Sequence, residues 1–274
     1  MLIQAGEALT LGAAEGSWLR FGEEPKAEGA WAGRRLLFVR DRPAFELSFW
    51  CGTCQFLFRR LEGANETGSL DELADRLAVG LGGLDRDVIG AFAELLPAGS
   101  YVPMLLSVQP RLVLPAAPDD YFAVEQVDTW GLDGFWGLPE YPRTPYYRTF
   151  ETAVDKESHL FEFVVPMVPP SWNDDARVGS FMELLATSGS PTAVSVSTLD
   201  VCAPAVDSGA DYYRHWSLTH FLLDGHHKVE AAARSGVPVQ LLTLLAVDFS
   251  LAKPEQLARV PALRSRPPGR RPRP

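Results

Sequence analysis

The sequence predicts an α+β protein, with a strand-rich first half carrying two helices and a second half in which strands and helices alternate. Three observations predict it. The first sixty residues are short apolar and aromatic runs broken by Gly and Pro. Two segments, 70–80 and 84–96, repeat apolar residues at helical spacing. From residue 159 onward, apolar runs take turns with capped helical segments. At 274 residues, 46% apolar and 22% charged, the chain is long enough to bury a sizeable core.

RRLLFVR (34–40), AFELSFW (44–50) and QFLFRRL (55–61) are predicted strands. In NETGSLDELADRLAVGL, Ser69 stands as an N-cap with Glu72 three residues later, and Leu70, Leu73, Leu77 and Leu81 follow at helical intervals. LDRDVIGAFAELL (84–96) is a second helix, ended by Pro97 and Gly99. Residues 101–115 and 121–130 are predicted strands. Residues 131–150 have no period and mark a junction between a domain over 1–150 and one over 151–252. Trp130, Trp136, Tyr141, Tyr146 and Tyr147 lie in or beside it and are expected to pack, with stacking on a base or sugar as the alternative.

HLFEFVVPMV (159–168) is a strand closed by Pro169 and Pro170. DDARVGSFMELLATSG (174–189) is a helix capped by Asn173 or Asp174 and stopped at Gly189. TAVSVSTLDV (192–201) alternates as a strand, and a further strand runs from about Trp216 to Leu223, with His220 expected as a hydrogen-bonded core residue. HHKVEAAARSG (226–236) is a helix with a Gly stop, followed by a last strand over 237–247. Residues 253–274, ending in RSRPPGRRPRP, read as a disordered Pro/Arg-rich tail.

Lys and Arg number 25 against 35 Asp and Glu, a net charge of −10. Setting aside the five tail arginines leaves a body at −15, which repels phosphate backbones and argues against nucleic acid as a partner. No apolar run reaches the roughly 18 residues of a membrane helix, and the start MLIQAGEALT has none of the basic character of a secretory signal. With only Cys51, Cys54 and Cys202, the chain fits a reducing compartment, so the expectation is a cytoplasmic protein with no membrane partner.

The strongest local signal is HFLLDGHHKVEAAARSGVPVQLL. A strand runs into Asp224 and Gly225, and a helix starts at His226. The first helical turn offers unpaired N–H groups, its dipole favours an anion, and Gly225 lets a ligand approach the backbone. His226, His227 and Lys228 add two imidazoles and a cation, so Asp224–Lys228 reads as a phosphate cradle in which Asp224 accepts a hydrogen bond or helps hold a metal. The alternative is a plain strand-to-helix turn with Asp224 as cap.

Cys51-Gly52-Thr53-Cys54 has the spacing of half a zinc site or of a redox dithiol. No other Cys or His occurs in the first 158 residues, so zinc would need Cys202 and a distant His or carboxylates. FWCGTCQFLF resembles the Trp-Cys-Gly-x-Cys run of thioredoxins, but the chain after it is short and strand-like. Two structural thiols in an aromatic core is the reading preferred on these residues.

The order of elements over about 160–247, with VVPMVPP, ARVGSFMELLATSG, PTAVSVSTL and HFLLDGHHKVEAAARSGVPVQLL, resembles the fold shared by chromosome-partitioning ParB proteins and sulfiredoxins. His226 stands where sulfiredoxins carry their reactive Cys, and Lys228 replaces the family Arg, which keeps the charge and loses the bidentate fork. Asp224-Gly225-His226-His227 looks more like the free-serine kinases of that superfamily. The resemblance implies a nucleoside di- or triphosphate with magnesium at Asp224, Gly225, His226, His227 and Lys228. It further implies His227 donating to the transferring group and Asp174 or Asp175 as catalytic base. The function expected is a phosphotransferase or nucleotide hydrolase acting on a small hydroxyl-bearing molecule. The alternatives are a non-catalytic nucleotide-responsive module and, further off, a ParB-like DNA-associated protein.

Overall fold

A computed structural model describes residues 1–25, 33–48, 58–130, 144–187, 189–203 and 213–270. The first half runs through β1 (Leu2–Ala5), β2 (Leu9–Leu11), β3 (Leu19–Glu24), β4 (Arg34–Val39), β5 (Arg42–Leu47), β6 (Phe58–Arg60), α1 (Ala74–Val79), α2 (Arg86–Ala93), β7 (Gly99–Val108), β8 (Arg111–Val113) and α3 (Glu125–Trp130). The second half adds β9 (Tyr146–Asp155), β10 (Ser158–Pro166), α4 (Asp175–Ala186), β11 (Thr192–Cys202), β12 (Arg214–Asp224), α5 (His226–Ser235), β13 (Val239–Ala246), α6 (Pro254–Leu257) and α7 (Val260–Arg264). The fold is α+β, with one large mixed sheet and one small antiparallel sheet.

The large sheet has the order β1-β7-β13-β11-β12-β10-β9-β8, with β2 also on β7. Its middle strands are buried on both faces, which explains their nearly unbroken apolar character. Alternate side chains serve two cores. Phe163, Val196, Phe221 and Leu244 face the small sheet β3-β4-β5-β6 and helices α1 and α2. Leu160, Leu199, Leu218 and Leu241 face α4, α5, α6 and α7. The architecture is therefore three-layered, and β7 from the first half pairs with β13 from the second, so one hydrogen-bonded sheet runs across the junction expected at 131–150. Tyr146 and Tyr147 are buried in the cores as expected; Trp136 and Tyr141, and the side chain of Trp130, lie outside the described residues.

Three expectations are corrected. The run 101–115 is two strands, because Pro110 has no N–H for a ladder and the chain turns at Gln109-Pro110. Residues 121–130 are not a strand. Asp120 accepts hydrogen bonds from the Ala116 and Phe122 amides and the Tyr146 hydroxyl, which folds a turn that leads into α3. The segment from 253 is not a free tail as far as residue 270. Leu257, Val260 and Leu263 pack on the sheet, and Arg264 is completely buried.

Arg264 is buried because Glu162 is. Glu162 lies in mid-strand on β10 with no exposure, and its Oε1 is 2.7 Å from Arg264 Nε and 3.2 Å from His220 Nε2, while Oε2 accepts from Thr149 Oγ1 at 2.6 Å. Burial opposes the carboxylate charge, but Arg264, with His220 and Thr149, outweighs it and holds the pKa at about 2. His220 Nδ1 lies 3.1 Å from both Ser197 and Thr243 hydroxyls, which also meet each other. His220 is thus the hydrogen-bonded core residue expected. The arm then continues along β9, where Gly269 N donates to Glu151 O and Arg266 to Ala153 O.

Leaving Glu162 unpaired should be costly. Arg264→Met is expected to lower stability at pH 7 by about 3–5 kcal/mol, the usual cost of breaking a buried ion pair on one side, read from the urea midpoint. Because the folded pKa lies below the ordinary 4.5, the stabilisation is full above that pH and fades as pH falls toward 2. A loss below about 1 kcal/mol would show the pair to be energetically idle.

Candidate functional site

β10 and β12 are parallel neighbours, and each leads directly into a helix at the same edge of the sheet. β10 passes through a proline-rich turn (Pro170–Trp172) into α4, and β12 passes through Gly225 into α5. Crevices beyond the carboxyl ends of parallel strands are where open sheets bind ligands. Gly225 has φ +91°, and a Cβ on it would lie 2.7 Å from Ala193 Cβ, so the turn demands glycine twice over.

α5 starts without any side-chain cap. Its first N–H groups, at His226, His227 and Lys228, therefore have no intrahelical acceptor, and Asp224, the expected alternative cap, is engaged elsewhere. Asp224 Oδ1 accepts from Ser69 Oγ at 2.6 Å, and Oδ2 lies 3.2 Å from Lys228 Nζ. Burial works against the Asp224 charge, but Lys228 and Ser69 outweigh it and hold the carboxyl below its ordinary value. Lys228 also donates to Thr192 O at 2.9 Å, which leaves one ammonium hydrogen unassigned. Burial lowers its pKa, against the pull of Asp224.

The two imidazoles act as acceptors. His226 Nε2 accepts from Met167 N at 3.0 Å, and His227 Nε2 accepts from Asp174 N at 3.1 Å. Both rings are therefore neutral with the proton on Nδ1, and they tie the proline-rich turn to the start of α5. Burial pushes His226 down to about 4, with Asp224 opposing and His227 and Arg60 adding to the fall. Burial and then Arg177 lower His227.

These groups open on a cleft of about 440 Å³. Its walls include Thr67, Ser69 and Asp71 from the first half and Trp172, Arg177 and Phe181 from the second. The guanidinium of Arg177 and the carboxylate of Asp71 have no hydrogen-bond or ion-pair partner among the described residues. Arg60, whose charge is felt at His226, has Nη1 buried with no hydrogen-bond partner among the described residues, and burial lowers that guanidinium to about 10.

Of the residues singled out in the sequence, the structure brings Asp224, Gly225, His226, His227 and Lys228 together around the cleft. It does not bring the two aspartates of α4 into its walls. Asp174 caps α4 through Arg177 N at 2.8 Å, and Asp175 is drawn to Arg234 at 2.9 Å. Cys51 and Cys54 lie outside the described residues, and Cys202 is a buried free thiol. No three His, Cys, Asp or Glu side chains converge as a metal site among the described residues. No helix among them is long and apolar enough to cross a membrane.

The cleft also contains residues that sequence reasoning missed. Ser69, expected to cap the helix over 70–80, has its hydroxyl on Asp224 instead, and the short helical turn Asp71–Leu73 begins with Leu70 uncapped. Ser-Leu-Asp before an amphipathic run reads as a capping signal, and nothing local distinguishes a cap from a cleft wall. Comparison with family models, with curated proteins and with solved structures finds no match for this chain.

The His226 environment sets a pH dependence. The folded pKa of about 4 lies below the ordinary 6.5, so as pH falls the unfolded chain takes up this proton first. The contribution is full above 6.5 and declines toward pH 4 at about 1.4 kcal/mol per pH unit. His226→Gln should remove that part of the slope in urea titrations run between those pH values, while the slope from His215, held down to about 3 by burial, persists. An unchanged slope would refute the assignment.

Proposed function

We propose that the cleft at the start of α5 binds the phosphate groups of a nucleotide and supports transfer of a phosphoryl group to a small hydroxyl-bearing molecule or to water. One observation carries this reading. An uncapped helix N-terminus opens on a cleft that also holds a guanidinium and a carboxylate with no ion-pair or hydrogen-bond partner among the described residues. Oriented N–H groups and cations suit a phosphate.

The residues divide by role. The α5 amides, Arg177 and the remaining Lys228 hydrogen meet phosphate oxygens, and Asp224 with Thr192 O fixes the Lys228 ammonium in place. As the phosphoryl group leaves the donor oxygen and bonds to the acceptor oxygen, the acceptor's proton passes to a carboxylate. Asp71 fits that task better than Asp174 or Asp175, because it lies on the cleft wall and is not otherwise engaged. Asp224 has both oxygens occupied, so the described residues form no cage for magnesium, which would enter on the phosphates with Asp71 as a protein carboxylate within the cleft. Bound there, the ion would neutralise phosphate charge. The diversion of Asp174 and Asp175 to structural contacts favours, as a second reading, a nucleotide-responsive module without turnover.

Thermal unfolding with ATP, ADP or CTP and magnesium tests the reading. A ligand that binds should add about 2–3 kcal/mol at a hundredfold excess over its dissociation constant. Arg177→Met, at an exposed position, should lose most of that gain without changing the unliganded midpoint. Asp71→Asn should keep the gain and abolish phosphate release or transfer. No stabilisation by any of the three would sink the proposal; stabilisation without turnover in the parent would select the binding module.

A further inference from the structure

The cleft has a wall that phosphate chemistry does not use. Leu70, Ala74, Val168, Trp172 and Phe181 line it beside the polar groups. Trp172 is 62% exposed and is the one aromatic ring among the exposed large apolar side chains of the described residues. Other large rings, such as Tyr101, Tyr121, Phe122 and Phe163, are fully buried. Leaving an indole in water forgoes the stabilisation its burial would give.

Its backbone is held in place. Pro169 and Pro170 precede it, Trp172 N donates to Pro169 O at 2.9 Å, and Asn173 N donates to Pro170 O at 3.0 Å. The next side chain, Asn173, reaches the Glu230 carboxylate and the His226 carbonyl, which anchors this turn against the first turn of α5. The backbone that carries the exposed ring is thus fixed beside the proposed phosphate position.

We infer that Trp172 is the platform on which the heteroaromatic ring of the ligand stacks, so that the cleft selects nucleoside phosphates over sugar phosphates and inorganic phosphate. The inference rests on the phosphate reading of the α5 N-terminus and adds the second recognition element to it. Stacking on an aromatic side chain is tolerant of base identity, since every base has a π-face. Trp172 therefore supplies affinity for a base, and choice among bases falls to polar groups such as Asn173 and Thr67.

Calorimetric titration with the four nucleoside monophosphates and with ribose 5-phosphate, in the parent, Trp172→Ala and Trp172→Phe, tests it. In the parent, the best nucleotide should bind about 5- to 150-fold more tightly than ribose 5-phosphate, the range expected of one stacked base. Trp172→Ala should erase that preference and leave ribose 5-phosphate affinity unchanged, and Trp172→Phe should retain most of it. The exposed position makes all three proteins comparable in stability, which thermal unfolding would verify. Equal binding of nucleotide and ribose 5-phosphate by the parent, or a preference that survives in Trp172→Ala, overturns the role of Trp172 while the phosphate site stands. Binding of neither compound by the parent overturns both.

Discussion

A full negative charge at the centre of the large sheet is the constraint that much of this structure answers. Glu162 occupies a mid-strand position where the neighbouring side chains are Leu, Phe and Val. A carboxylate there is tolerable only if a cation and hydrogen-bond donors come to it, and Arg264, His220 and Thr149 do. The consequences spread outward. The C-terminal arm must dock to deliver Arg264, and α6 and α7 complete the core on that side. The polar row Glu162, His220, Ser197 and Thr243 crosses β10, β12, β11 and β13 on one face, so a one-residue slip of any of these strands would set its polar group against the wrong layer.

The cleft obeys the same electrostatic logic with the opposite result. Asp224 and Lys228 pair and fix the turn, and Asp175 at the start of α4 pairs with Arg234 in the last turn of α5. Among the described residues Arg177 and Asp71 have no ion-pair or hydrogen-bond partner for their charged groups, and both line the same cleft. The walls come from both halves of the chain, through Thr67–Asp71 on one side and the start of α5 on the other.

Where a feature depends on neighbours in the sequence, the sequence declared it. α2, ended before Pro97 and Gly99, α4, with Asp174 as cap, and α5, between Gly225 and Gly236, are local in this sense. So is the glycine turn that positions the α5 amides. What the sequence withheld depends on distant partners. Ser69 carries the signature of a cap, and only Asp224, 155 residues away, redirects its hydroxyl. Arg264 sits in a stretch whose composition reads as disordered, and only a buried carboxylate makes it a core residue. The resemblance implied a catalytic base at Asp174 or Asp175, but capping and a helix–helix ion pair compete for carboxylates at a helix start, and here both contacts form.

The topology also orders events in time. β7 ends at Val108, and the neighbour that separates it from the sheet's middle, β13, begins at Val239. During synthesis from the N-terminus, β7 thus leaves the ribosome with one edge unpaired and waits for most of the remaining chain. Such long-range closure slows folding, and an exposed apolar edge invites pairing with other chains. Closing the large sheet therefore waits on β13, whose pairing with β7 joins the two halves of the chain.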